Sequence, residues 1–191
     1  MARLKMDEAT LLSDEDLIAA IRRGNDGEAL EQLVARHLPQ VRGTVFQLTL
    51  DDAAADDVTQ EVFLRAIRGL SGFDGRAKFS TWLYRISRNT AHTWLEKHAR
   101  RRSACPVESV EQAAADPAPD SGLLAEEMSA DVHEALADLS PALRAAVVLT
   151  GLQGLSPAEA ADIEGCSTAT MYWRIHEARK QLRGRLQEYL S

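Results

Sequence analysis

The sequence predicts an all-α protein of two small helical domains joined by an acidic, flexible linker, and three observations carry that prediction. Apolar residues recur at spacings of three and four along most of the chain, and nothing reads as a strand. Alanine is abundant and aromatics make up only 5% of the residues, a balance that favours helices over sheets. Residues 103–122 (SACPVESVEQAAADPAPDSG) hold three prolines and a glycine, carry only acidic charge and keep no helical period, so they read as a linker between domains at 1–102 and 123–191.

In the first domain, Ser13 to Asp16 is a capping-box-like start, followed by Leu17, Ile18 and Ile21 and stopped near Gly24. A second helix opens around Asp26 or Gly27 and carries Leu30, Leu33, Val34, Leu38, Val41, Val45 and Leu48, with a bend expected at Pro39. The third runs from Asp51 or Asp52 to Leu70, with aspartates in its first turns where they meet the amino-terminal dipole. A fourth spans Phe79 to about Arg101, with Phe79, Leu83, Ile86, Thr90 and Trp94 on a core-facing side. Arg85, Arg88 and His92 project to the other side, and Trp82 and Asn89 lie on the shoulder between.

The second domain opens with a helix near Leu123 to Leu139. Another begins at Ser140-Pro141 and ends at Gly151. Ser156-Pro-Ala-Glu159 is a full capping box that starts a short helix from Pro157 to about Glu164. Gly165, Cys166 and Ser167 make the turn, Ser167 caps the last helix, and Met171, Ile175, Ala178, Leu182 and Leu186 form its apolar face.

Composition narrows the functional classes. With 45% hydrophobic and 27% charged residues the 191-residue chain is globular, which excludes wholesale disorder, collagen-like repeats and a disulfide scaffold. The longest apolar run, Ala145 to Leu149, is far short of a membrane span, and the amino terminus lacks a signal-peptide stretch, so a cytoplasmic location without membrane insertion is expected. Cys105 and Cys166 form no Cys-x-x-Cys pair and have no histidine at ligand spacing; no metal or cofactor is expected, with Cys166 read as an apolar turn residue and Cys105 as part of the linker. No nucleophile with a paired base and no phosphate-cradling glycine loop appears, so no catalytic residue is expected.

The net charge of -7 argues against a polyanion partner until it is mapped. Residues 65–102 carry ten bases against only Asp74 and Glu96, whereas residues 103–138 hold nine acids and no base. Residues 171–185 then return five bases against Glu177. Two basic islands split by an acidic stretch suit a protein with two polyanion-facing surfaces.

A short capped helix, a glycine turn and a longer helix with one apolar and one basic face make a helix-turn-helix unit. Thr168, Ala169, Tyr172, Trp173 and His176 point outward near the start of the second helix, toward base edges in a major groove, while Arg174, Arg179, Lys180 and Arg183 reach phosphates. In the first domain Phe73, Phe79, Trp82, Tyr84 and Trp94 are interleaved with Arg76, Lys78, Arg85 and Arg88 around a glycine-flanked loop. Phe79 and Trp94 read as core; cations beside aromatics suit single strands, where an unstacked base gains roughly 1 to 3 kcal/mol by stacking.

From about Ser13 to Leu190 the chain resembles the extracytoplasmic-function group of bacterial RNA polymerase sigma factors. Three blocks carry the resemblance, in the family's order: Asp56 to Arg65 (DDVTQEVFLR) is similar to its polymerase-clamp helix, Phe73 to Asn89 (FDGRAKFSTWLYRISRN) to its promoter-melting segment, and Ser156 to Leu182 to its upstream-element reader. The resemblance implies that Asp57, Gln60, Glu61 and Arg65 face the clamp coiled coil of the polymerase largest subunit. It implies that Phe73, Arg76, Lys78, Trp82, Arg85, Arg88 and Asn89 surround the minus-ten element, with a flipped base received by the loop from Phe73 to Lys78. Ser167, Thr168, Tyr172, Trp173, Arg174, His176, Arg179 and Lys180 would read the minus-thirty-five element. The implied partners are core RNA polymerase, through its clamp and flap, promoter DNA and an anti-sigma factor; the linker would lie in the polymerase's RNA exit path.

The chain departs from the family pattern at Tyr172 and Trp173, where a basic and a small polar residue are common, at Glu177, where arginine is frequent, and at Thr93, where an acid is often seen. Bulky aromatics cannot make arginine's paired contacts to guanine, so an unusual promoter sequence is expected, unless Trp173 packs on a neighbouring helix or a partner. The sequence alone leaves open two other readings: a stand-alone helix-turn-helix transcription regulator that needs no polymerase, and a helical adaptor without DNA affinity.

Overall fold

The computed structural model describes residues 12–24, 27–104 and 132–189, all helix and connection with no strand among them. The linker beyond Ala104, Cys105, Asp26 and the first part of the helix read at 123–139 lie outside these residues.

Helix α1 (Asp14–Arg22) starts from the capping box read at Ser13, whose hydroxyl accepts from the Asp16 N–H at 3.1 Å while the Asp16 carboxylate reaches back to the Ser13 N–H. Asp14 also fastens α1 to α2 (Gly27–Thr49), accepting from Arg36 at 2.6 Å and lying 2.9 Å from Nε2 of the buried His37. Pro39 stands inside α2, where a bend was expected; the helix is unbroken, and the proline is exposed, so the carbonyl it leaves unbonded can meet water. Helix α3 (Asp52–Gly69) is capped by the Asp51 side chain on the Ala54 N–H and ends in a short 3₁₀ turn, Leu70–Gly72. Helix α4 (Phe79–Ala104) continues two residues into the stretch read as linker. Leu17, Val41, Val45, Val62 and Leu83 are almost wholly buried where these four helices meet.

The second half comprises α5 (132–137), α6 (Pro141–Val147), α7 (Pro157–Glu164) and α8 (Thr168–Tyr189). The helix read as ending at Gly151 continues past Val147 as a π-helical turn, Val148–Leu152. Helix α6 and the π-helical turn that continues it face three ways: Ala145 and Val148 pack into the four-helix core, Ala146 and Leu149 into the cluster under α7 and α8, and Leu143 against Leu136, Leu139 and Ala178. A helix apolar on all sides must be covered on all sides, and that is how the two halves come to share buried surface. Tyr84 of α4 is buried among second-half residues, and burial raises its hydroxyl pKa; its OH donates to Gln153 Oε1 at 2.9 Å.

Arg144 ties the halves together at the polar level. Its guanidinium is buried and donates to the carbonyls of Leu136 at 2.9 Å, Leu48 at 3.1 Å, and Ala137 and Leu139 at 3.2 Å, all at the ends of α2 and α5. Carbonyls left free at helix carboxyl ends carry partial negative charge, so they hold a cation without a carboxylate. Burial still lowers the pKa of Arg144.

Candidate functional site

Three surfaces collect the residues singled out in the sequence. On α3, Asp57, Gln60, Glu61, Leu64 and Ile67 follow spacings of three and four and so share one stripe. Leu64 and Ile67 are each 42% exposed, as is Leu38 of α2 across a groove whose wall includes Asp57 and Gln60. Arg65 donates to Glu61 at 2.7 Å, which holds the Glu61 carboxyl below its usual pKa. At the head of the groove Arg42 bridges Asp52 at 2.8 Å and Asp56 at 2.7 Å, and those hydrogen bonds, Asp56 first, raise its pKa. The Thr59 hydroxyl lies against this groove, buried and without a protein partner among the described residues. An apolar floor with a polar rim suits a helical protein partner.

The second surface is the loop after α3 and the opening of α4. Phe73, read with the minus-ten residues, is buried: its ring meets Phe79 edge-on at 5.6 Å and Trp82 at 5.3 Å. Trp82 is half-buried and lies over Gly69, where an added Cβ would come within 3.3 Å of the indole. Arg22, which the sequence reading passed over, donates to the carbonyls of Leu70 at 2.8 Å and of Phe73, fixing where the loop begins. Arg76, at 88% side-chain exposure, pairs with Asp74 at 2.9 Å, and Lys78 is exposed.

Arg85 and Arg88 do project away from the first core, but α7 meets them. Arg85 donates to Asp162, and Arg88 grips Glu164 with Nε at 2.6 Å and Nη2 at 3.2 Å. Asn89 is exposed and accepts from Arg88 at 3.2 Å. The Glu164 side chain is only 3% exposed and also accepts from Arg174 of α8 at 3.2 Å. One carboxylate therefore holds one arginine from each of the two basic islands. Asp162 and Glu164 were legible only as acids on a short helix.

The third surface is the α7–α8 unit. The Ser156 hydroxyl and Glu159 carboxylate form the reciprocal cap that was read, and those hydrogen bonds lower the pKa of Glu159. Gly165 sits at φ +64, the left-handed conformation that ends α7, and Cys166 packs at the edge of the cluster beneath. Ser167 caps α8, its hydroxyl accepting from the Thr170 N–H at 3.1 Å. Thr168, His176, Arg179 and Lys180 are exposed, and Tyr172 and Trp173 stand 59% and 61% open, so among the described residues no neighbouring helix covers Trp173. Arg174 is corrected in the opposite sense, since it turns to Glu164 rather than outward.

Residues 33–101 match the family model described as Sigma-70 region 2, and residues 129–182 match Sigma-70, region 4. The chain is 34% identical over 185 residues to the RNA polymerase sigma-H factor of Pseudomonas aeruginosa, covering 93% of this chain and 95% of that one. It is 33% identical over 184 residues to the ECF RNA polymerase sigma-E factor of Escherichia coli K12, covering 92% and 95%. Among solved structures, the sigma factor RpoE in complex with the anti-sigma factor NepR from Bartonella quintana aligns with a TM-score of 0.71 at 28% identity, over 82% of this chain and 96% of that one. CnrH in complex with the cytosolic domain of CnrY aligns at 0.67 and 28%, over 92% and 97%.

Proposed function

Because the chain belongs to the extracytoplasmic-function group of sigma factors and is an alternative sigma factor that directs RNA polymerase to promoters, we propose how its surfaces divide that work. The stripe of Asp57, Gln60, Glu61 and Arg65, with Leu64 and Ile67, takes the clamp coiled coil of the polymerase largest subunit. The loop from Phe73 to Lys78, with Trp82, Arg85, Arg88 and Asn89, opens the minus-ten element. Helices α7 and α8 hold the minus-thirty-five element, beside the polymerase flap. The domains accordingly run from 1 to 102 and from 123 to 191, with the acidic linker between. The chain performs no catalytic chemistry of its own, works in the cytoplasm where polymerase and DNA are, and is restrained by an anti-sigma factor, as the sigma factor RpoE of Bartonella quintana is bound by NepR.

The observation that carries the reading is the open α2–α3 groove, where Leu38, Leu64 and Ile67 stand exposed beside a polar rim that includes Asp57 and Gln60, a surface suited to a protein partner. Run-off transcription with purified bacterial core enzyme and a genomic promoter library tests it: initiation should depend on the chain. Leu64→Glu should lower core affinity by roughly tenfold or more, while leaving the melting temperature near wild type because Leu64 is exposed. Absence of chain-dependent initiation on every template would refute the assignment.

A further inference from the structure

The first two turns of α8 expose Thr168, Ala169, Tyr172 and Trp173 within an arc of roughly 140 degrees at 100 degrees per residue. None of the four can form the paired hydrogen bonds with which arginine reads guanine, or asparagine and glutamine read adenine. The nearest cation in the sequence, Arg174, falls outside the arc and is held by Glu164 at 3.2 Å. What the arc offers instead is apolar: two methyl-bearing small residues and two large rings that are 59% and 61% exposed. Farther along the same arc, Arg179, Lys180 and Arg183 supply positive charge complementary to phosphates at the groove edge, with the His176 ring beside them. In the major groove the apolar feature that distinguishes one base from the others is the 5-methyl group of thymine.

We propose that this sigma factor reads its upstream promoter element through thymine methyl groups, with Tyr172 and Trp173 as the specificity-determining residues and the methyls of Thr168 and Ala169 beside them. The inference rests on the assignment of α7 and α8 to the minus-thirty-five element. Guanine in this stretch of the element meets only single donors from the helix start, the Thr168 and Tyr172 hydroxyls and the Trp173 indole N–H, and no paired one, so it is disfavoured.

The test uses holoenzyme assembled from the full chain and core polymerase, on a promoter that supports run-off, randomised over its upstream element. Selected sequences should carry thymine at two or more fixed positions. Replacing those thymines with deoxyuridine, which removes only the methyl, should weaken promoter binding about fourfold per position. Trp173→Ala should erase the distinction between thymine and uracil without changing the melting temperature, and Trp173→Arg should move the selected base toward guanine. Selection of guanine by the unaltered chain would overturn the proposal. So would thymine preference that survives the uracil substitution, since the element would then be read through groove shape. Failure to initiate on any template is a different result, which removes the promoter-reading premise itself.

Discussion

Arg144 and Glu164 are the two side chains on which the arrangement turns, and they solve opposite problems. Arg144 is a buried cation held by four backbone carbonyls, so its removal takes a donor from each, although the Leu136 carbonyl keeps the Leu139 N–H at 3.2 Å. An orphaned buried acceptor costs about 1–3 kcal/mol, and partial access of water to the site lowers the sum. Arg144→Met should therefore lose about 3 kcal/mol, visible as a lower urea midpoint at unchanged slope; a loss below about 1 kcal/mol would mean that the carbonyls find other donors. Glu164 is a buried anion satisfied by two arginines, each drawn from a basic island that bulk charge would send toward DNA. Arg22 belongs with them, because its two bonds to Leu70 and Phe73 carbonyls set the loop on which Arg76 and Lys78 are carried.

Helix α7 shows how much of a functional unit depends on its ends. Its start is the Ser156–Glu159 box, and its stop is Gly165 in the left-handed region, with the Cys166 N–H on the Ala161 carbonyl at 3.0 Å. A Cβ at Gly165 would meet no atom within 4 Å, so Gly165→Ala is penalised only by backbone conformation, about 1 kcal/mol, and should lower the melting temperature by a few degrees. No change in that temperature would show that the turn relaxes into another conformation. The pH dependence of the other end follows from the lowered pKa of Glu159, whose leading cause is the Ser156 side chain. A carboxylate with a depressed folded value stabilises the fold above its unfolded pKa, near 4.3, and loses that contribution as pH falls through the lower folded value. The melting-temperature gap between wild type and Glu159→Gln should thus be open at pH 7 and close as the pH falls below about 4. A gap independent of pH would mean that the cap works without its charge.

The two halves pack into one body through α6, Arg144, Tyr84 and the ion pairs of α7 with α4. In this state two of the cations assigned to the minus-ten element face Asp162 and Glu164 instead of solvent. The exposed Arg85–Asp162 pair contributes less than about 1 kcal/mol. Glu164 is buried and contributes more, so Asp162→Asn combined with Glu164→Gln should weaken the closed packing by about 2 kcal/mol, a factor of roughly thirty in the closed-to-open ratio. Small-angle scattering should show a larger radius of gyration for the double variant at physiological salt. An unchanged radius would mean that the apolar contacts of α6 alone keep the halves together.

Helix positions, both capping boxes and the turn at Gly165 were readable along the chain, because caps, spacings of three and four and a left-handed glycine are interactions between residues within a few positions of each other. The run from Ala145 to Leu149 was legible as well, though only as too short for a membrane; its meaning as a helix covered on every side needed the neighbouring halves. Burial of Phe73 came from the first core, where its ring meets Phe79 and Trp82, whereas burial of Tyr84 and the turning of Arg85, Arg88 and Arg174 toward Asp162 and Glu164 came from the packing of α4 and α8 with α7 and its neighbours. A charge pattern says which face of a helix is basic, but what neutralises that face is set by acids up to 77 positions away in the chain, brought near only when the halves close.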